Sequence, residues 1–415
     1  MESETTLDPR RFNAARPPAM VLGGLTITRA LGLARIPVIV ASSVARESAF
    51  VSRYCAARLR LPAHEGRAAV ADRLLAAGER LATGLGRRVP LYYGNDDWQR
   101  LVQDYRQDLE RHYAMLLNDP HVAEAVIEKD LFQRLALERG LPVPRTLDWS
   151  AVDRWAGPVL VKPRTKFEWE ASAVFLRLFG REGKARIFES GAALLADAAA
   201  RELRDQLVIQ EYIPGDDRAI WSFHGFADEE GRLLDWFIGR KLRTYPALTG
   251  ISTFVELARD AELAELGRSI AGALPLKGVF KIDLKRDPRI GRFRVLEINA
   301  RYNLWHYLGA ANGVNLARTA YDYLVYGKRP PAPTSYRTRY RWIYLRADWR
   351  AYREMSKRGQ LRFGAWLGSL FSAPLVCQLF AWSDPLPFFH RLFSRLRIGL
   401  PRVPGLLRRW LSTAW

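Results

Sequence analysis

Apolar residues near the start of the chain come in short, continuous runs. Ala19-Met20-Val21-Leu22 is followed at once by Gly23-Gly24. Thr28, Leu31 and Leu33 then recur at helical spacing as far as Ile36-Pro37, and Val38-Ile39-Val40-Ala41 is apolar again. Unbroken runs suit strands buried on both faces, and a strand, glycine turn, helix, strand order predicts a parallel sheet. Tyr92 to Asp97 reads as a strand end and loop, with a helix from Asp97 to His112. A second helical stretch runs from Ala123 to Arg139, with Val126, Ile127, Leu131, Leu135 and Leu137 apolar. It stops at Gly140, because Leu141-Pro142-Val143-Pro144 cannot continue it.

The middle of the chain alternates short strands with turns. Val159-Leu160-Val161 ends at Lys162-Pro163, and Leu207-Val208-Ile209 ends at Gln210-Glu211-Tyr212-Ile213-Pro214-Gly215. Two strands flank Asp228-Glu229-Glu230-Gly231, a helix spans Arg259 to Ala273, and Val279–Leu284 and Phe293–Ile298 form a hairpin around Asp287-Pro288-Arg289-Ile290-Gly291. Pro330-Pro331-Ala332-Pro333 reads as a linker.

The hairpin carries the densest chemistry. Strand side chains alternate, so Glu297, Asn299 and Arg301 share a face that Asp283 joins from the partner strand. Two carboxylates and an amide oxygen make a hard-oxygen set suited to magnesium shared with phosphates. Arg301 beside them would neutralise charge on a transferring phosphoryl group. The alternative is an exposed, salt-bridged hairpin. Lys162, at a strand end, either offers a point charge to a polyphosphate or is simply solvated. The extended backbone of Gln210-Glu211-Tyr212 suits an adenine edge, with Ile213 against the ring; the alternative is a strand entering a Pro-Gly turn. Lys241 and Arg243 either hold a substrate carboxylate or end a solvated strand. His224 and His306 read as packing residues or substrate contacts. No Ser/His/Asp or Cys/His nucleophile stands out.

In this order, the segments EKDLFQRLALERGLPVPRT from Glu128, VLVKP from Val159, VIQEYIPGDD from Val208, GVFKIDLKRD from Gly278 and VLEINAR from Val295, together with the glycines at 23–24, resemble the ATP-grasp superfamily. The resemblance covers roughly Met20 to Tyr326 and is nearest to the carboxylate–amine ligase branch that includes D-aspartate ligases. It implies a mixed α/β and α+β fold. A Rossmann-like pre-ATP-grasp domain over 19–118 precedes an ATP-grasp domain over 119–328, whose small subdomain spans about 145–206. It implies Lys129 and Lys162 as nucleotide phosphate contacts, Gln210 to Ile213 as the adenine hinge and Asp217 at the ribose. Asp283, Glu297 and Asn299 fall on the metal positions, and Arg301 on the arginine near an acyl phosphate. The expected activity is an ATP- and magnesium-dependent ligase. It would join small-molecule or polymer-linked carboxylate and amine substrates through an acyl phosphate. One segment departs from the pattern: the usually glycine-rich loop after VLVKP reads Arg164-Thr165-Lys166-Phe167-Glu168-Trp169-Glu170, so Lys166 or Lys184 would replace backbone contacts. That departure keeps open a catalytically inactive nucleotide-binding homologue.

Charge changes the picture at one end. The 415 residues carry 64 Lys/Arg against 44 Asp/Glu, a formal charge of +20, and Pro331 to Trp415 alone hold 15 against 3. A basic face meets phosphates, in nucleic acid, lipid or an acidic polymer. Phe363 to Ser383 is uncharged for 21 residues, and Arg391, Arg395, Arg397, Arg402, Arg408 and Arg409 then alternate with Phe, Leu, Ile and Trp. The expectation for 329–415 is a linker and a basic, amphipathic tail. It docks in the plane of an anionic bilayer, packs on the body or a partner, or spans a membrane. Long apolar runs between the arginines are unlike a base-stacking platform, so a nucleic-acid-binding protein with an ATP-grasp body is the lesser alternative. The two cysteines, Cys55 and Cys377, form no framework, which excludes a zinc or disulfide scaffold and suits a reducing cytoplasm. Residues 1–18, with acids before any base and no apolar core, read as a disordered leader and not as a signal peptide. The expected place is the cytoplasm, peripheral on the inner face of the membrane.

Overall fold

The structure, a computed structural model, describes residues 7–164, 172–180, 184–331 and 334–399. Three sheets organise it. The first is parallel, ordered β3-β2-β1-β4-β5, from β1 (Ala19–Leu22), β2 (Val38–Ser42), β3 (Cys55–Arg60), β4 (Val89–Tyr93) and β5 (Tyr113–Ala114). Strands β1, β2 and β4 are buried along their whole length, as their unbroken apolar runs require. The expected helix over Asp97–His112 is two helices, Asp96–Asp104 and Arg106–His112, hinged at Tyr105. That over Ala123–Arg139 is likewise split into Pro120–Ala125 and Lys129–Glu138.

The second sheet has β6 (Thr146–Leu147), β7 (Val159–Pro163), β8 (Arg186–Phe188) and β9 (Leu207–Glu211), in the order β6-β9-β7-β8. It has its own small core around Val159, Val161, Phe175, Leu194 and Ile209. The third sheet is the spine: β10 (Ile220–Ala227), β11 (Leu233–Tyr245), β12 (Ile251–Ala258), β13 (Gly278–Asp287), β14 (Arg292–Asn299), β15 (Arg341–Ile343) and β16 (Leu375–Cys377), ordered β14-β13-β10-β11-β12-β15-β16. The helix Ala261–Ala273 packs one of its faces through Leu263, Ile270 and Ala271.

The structure decides the reading of both ends of the chain. Residues 7–18 are not a disordered leader: Leu7 is buried in the first domain's core, and the hydroxyls of Tyr321 and Tyr326 donate to the carbonyls of Pro17 and Ala15. Residues 1–6 lie outside the described residues. Of the alternatives for the tail, packing on the body is the one its described residues show. Strands β15 and β16 extend the spine sheet, and Asp348 on the helix Leu345–Lys357 is fully buried. The uncharged run begins as a nine-residue helix, Phe363–Phe371, then bends at Ser372–Ala373 and enters β16, and no helix among the described residues is long and apolar enough to cross a membrane. Asp384 is sealed against the first domain. Its carboxylate takes Arg29 Nε at 2.9 Å, Ser52 Oγ at 2.8 Å and the Arg53 N–H at 2.9 Å. A buried pair with three donors on its carboxylate fixes geometry, because either partner alone would be an uncompensated buried charge.

Candidate functional site

The spine sheet builds the site by register. Ser222 on β10, Asp283 on β13 and Glu297 on β14 stand side by side, and His224, Lys281 and Asn299 form the next row. Cross-strand partners share a face, so the carboxylates expected from sequence do converge. Lys281 Nζ lies 2.5 Å from Asp283 Oδ2, Lys241 Nζ 3.8 Å from Oδ1, and Ser222 Oγ donates to Oδ1. Burial works to raise Asp283, but Lys241 and Lys281 outweigh it and hold the carboxyl well below its usual range. Burial and the Asp283 charge push Glu297 upward, yet Lys281, Lys162 and Lys184 bring it below its usual value too. Both acids are therefore ionised, ringed by four lysines. Asn299 Nδ2 donates to Glu297 Oε1 at 3.3 Å, and Asn299 Oδ1 accepts from Arg301 at 3.0 Å.

The small subdomain closes over this row. Burial lowers Lys162, opposed by the charges of Glu297 and Asp283 across the cleft. Lys129 Nζ donates to the Pro163 carbonyl at 2.5 Å, beside Lys162. Lys184 reaches the field of Glu297, whereas Lys166 and the rest of the expected phosphate loop lie outside the described residues.

The expected hinge is largely self-satisfied. Gln210 Nε2 donates to Gln133 Oε1, Glu211 takes the Arg145 N–H and pairs with Arg289 at 3.3 Å, and the Tyr212 N–H donates to the Pro158 carbonyl. Ile213 is buried beside it.

Two residues have other work than the sequence suggested. Asp217, expected at a ribose, is buried, and its carboxylate accepts from Thr244 N–H and Oγ at 2.7 Å and from Leu248 N–H at 2.8 Å. It fastens the tip of the β11–β12 hairpin. Arg243, expected at a substrate carboxylate, points into the far core: its Nε and a terminal nitrogen donate to the two oxygens of Asp348, each at 2.8 Å. A β-bulge between Lys241 and Arg243 separates the two, which alternation alone would put on one face. Asp348 also takes Thr253 Oγ1 and Trp366 Nε1, both at 2.9 Å.

Other residues went unnoticed. Lys285 continues the alternation of Lys281 and Asp283 on β13, a signal present in the KIDLK run. Burial pushes it down to about 8 against the pull of Asp217 and Asp216, and its ammonium lies 4.6 Å from the Tyr212 ring centre. Trp305 lies over Gly239, where a Cβ would come within 2.1 Å of the indole. His224 and His306, read from the sequence as packing residues or substrate contacts, meet edge to face at 5.2 Å, and both Nε2 atoms are buried with no hydrogen-bond partner among the described residues. Burial depresses His224 strongly and takes His306 to about 3, so both are neutral. Arg301 Nε pairs with Asp96, whose chain neighbours Asn95 and Asp97 line a cavity of about 470 Å³. That cavity opens at the carboxyl ends of β1, β2 and β4, against Gly23, Gly24, Ser42, Arg67 and Trp98.

Three sheets in this order, with a lysine-ringed carboxylate pair between the second and third, make this an ATP-grasp fold. No family model matches the chain. A D-aspartate ligase of Enterococcus faecium (strain Aus0004) is 25% identical over 258 residues, 59% of this chain, and the chain spans 60% of that relative's length. Among solved structures, L-amino acid ligase from Bacillus licheniformis superposes with a TM-score of 0.54 at 12% identity, over 75% of this chain and 74% of that one. The biotin carboxylase domain of Hydrogenobacter thermophilus 2-oxoglutarate carboxylase, a complex with MgADP, ADP and bicarbonate, gives 0.57 at 14%, over 78% and 73%.

Proposed function

We propose that the protein is an ATP- and magnesium-dependent carboxylate–amine ligase working through an acyl phosphate, in the cytoplasm. The observation that carries this reading is the pair Asp283 and Glu297, opposite each other on β13 and β14 and held ionised by Lys162, Lys184, Lys241 and Lys281. Among the described residues there is no cluster of three or more His, Cys, Asp or Glu. Two carboxylates with the Asn299 oxygen are nonetheless a fitting donor set for magnesium that is also shared with phosphate oxygens. ATP bound there would supply the phosphoryl group that turns a poor electrophile, the substrate carboxylate, into an activated one.

The chain's own residues divide the remaining work. Asp283, Glu297 and Asn299 hold the metal. Lys129 and Lys162 sit on the phosphates from the small subdomain, with Lys184 near them. The Gln210–Ile213 strand end receives the adenine; since its Glu211 and Tyr212 N–H groups are already bonded, the contact falls to Ile213 and the remaining carbonyls. Lys285 and Tyr212 line the nucleoside end. Lys241, beside Asp283, is the cation left to orient the substrate carboxylate once Arg243 is removed from that role. Arg301 spreads charge off the transferring group, with Asn299 holding it in place. Trp305 and the neutral His224 and His306 keep this end dry, which protects an acyl phosphate from water. The cavity by Gly23-Gly24, with Asp97 and Glu47 in its wall, receives the amine, and Asp96 links it to Arg301.

The test is phosphate release from ATP across a panel of acid and amine pairs. Turnover should require both substrates and magnesium, and Glu297→Gln should lower it at least ~100-fold with the fold intact by circular dichroism. An equally active Glu297→Gln enzyme sinks the site, and nucleotide binding with no release across the panel sinks the activity.

A further inference from the structure

The helix Leu386–Gly399 lies on the first domain beside Ser48–Val51, and Arg46 donates to the Ser394 carbonyl at 3.1 Å. Its contact side carries Pro387, His390 and Ser394. The opposite side is apolar and, among the described residues, uncovered. Trp382, just before it, is 91% exposed, and Leu386, Phe389, Leu392 and Phe393 are each exposed by 39–46%. At 100° per residue those four helix positions fill a stripe of about 120°. The patch is continuous: Phe380 meets Trp382 at 4.9 Å and Phe388 at 5.6 Å, Phe388 meets Phe389 at 5.4 Å, and Phe389 meets Phe393 at 6.4 Å. Aromatic faces of this extent, left in water, mark interaction sites.

The surroundings say what covers it. Arg46, Arg53, Arg58 and Arg60, from the β2–β3 edge of the first domain, are exposed around the helix. Arg46 and Arg58 lie close enough to act on the His390 imidazole, and Arg53 donates to the Ser383 carbonyl. The sequence beyond residue 399 adds Arg402, Arg408, Arg409, Trp410 and Trp415 and has no acid. An apolar, aromatic stripe rimmed by arginines is the complement of a bilayer with anionic headgroups: rings enter the headgroup–acyl boundary and guanidiniums meet phosphates. A protein partner would need an acidic rim around an apolar groove, and RNA would leave the continuous apolar stripe unused.

We propose that the face made by Trp382, the helix Leu386–Gly399 and the first-domain arginines docks the protein on an anionic membrane surface. The sequence pattern pointed to a tail acting alone; the structure makes the surface composite, with the rim supplied by another domain. Docking is measured without turnover, so it stands or falls separately from the ligase reading.

The test is flotation of the full chain with vesicles of phosphatidylcholine alone or with 30 mol% phosphatidylglycerol, where the lipid composition is a choice of about that value to give a strong surface potential. The full chain should float with the anionic vesicles and stay behind with the neutral ones, and salt of about 0.5 M should release it. Trp382→Ala with Phe389→Ala should cut the floated fraction at least ~10-fold, and Arg58→Glu should weaken binding ~5-fold or more at unchanged melting temperature. Equal flotation with both vesicle types overturns the anionic commitment. No flotation with either, or retention on RNA and not on vesicles, overturns the proposal.

Discussion

Arg301 and Asp96 join the spine sheet to the first domain. The Arg301 Nε donates to the Asp96 carboxylate, and the neighbouring Tyr302 N–H donates to the Tyr93 carbonyl at 3.2 Å. Since another guanidinium nitrogen takes Asn299, one side chain joins the proposed metal row to Asp96, whose chain neighbours Asn95 and Asp97 line the Gly23-Gly24 cavity. If Arg301 stabilises the transferring phosphoryl group, Arg301→Ala should lower kcat ~100- to 1000-fold with little change in KM for ATP. Asp96→Asn should cost less in kcat, because Asn299 still orients the guanidinium. Steady-state phosphate release separates the two, and an Arg301→Ala enzyme within tenfold of the wild type would rule the role out.

Arg243 and Asp348 make a structural pair, buried at 6% and 0% side-chain exposure. Removing one partner leaves a buried charge unpaired, so Arg243→Met or Asp348→Leu should each cost about 3–5 kcal/mol, while the double variant should regain much of that. The check is a denaturant double-mutant cycle. A substrate-binding Arg243 would instead show its effect in KM with stability unchanged.

Much of this arrangement was legible beforehand. Continuous apolar runs announced β1, β2 and β7, and the Glu297/Asn299 alternation opposite Asp283 announced that the two carboxylates meet, because strand period is a local property. The misses are non-local. The bulge after Lys241, which turns Arg243 away, is set by pairing with β12. The burial of Asp217 depends on the hairpin tip 27 to 31 residues later. The uncharged run Phe363–Ser383 left bilayer docking, packing on the body and a span all open, and only the pairing of Leu375–Cys377 with β15 shows that part of it completes a sheet.

Asp217 separates the two views. As a fastener it should matter for stability: Asp217→Ala orphans the Thr244 and Leu248 N–H groups and should cost about 2–4 kcal/mol. KM for ATP should move less than about threefold. A ribose contact predicts the reverse, with stability retained and KM raised tenfold or more. Thermal denaturation and ATP kinetics on the same preparation decide between them.

The His224 and His306 pair sets a pH dependence of stability whose sign follows from burial. Both are depressed in the folded state, His306 to about 3, while the unfolded chain titrates near 6.5. Burial is the main cause for both; the His306 ring, Lys281 and Lys241 add to it at His224, Lys281 and Arg301 add to it at His306, and the Asn303 backbone, which works to raise His306, is outweighed. Between these values the unfolded state binds protons that the folded state does not, and stability rises with pH. The contribution is fully present above 6.5 and is lost as pH falls. From pH 6.5 to 5 the loss should be of the order of 2 kcal/mol for each histidine. Asp283 and Glu297, depressed acids, act in the same direction only below about 4.5. The raised acids Asp217 and Asp235 act in the opposite direction, above 3.8 up to their folded values, so the histidine share is read by difference. Denaturant unfolding at pH 6.8 and 5.0 should show a steep loss for the wild type and a smaller one for His306→Gln. Equal losses would mean that His306 is protonated in the folded protein, and the dry wall assigned to it beside Lys281 would have to be wet.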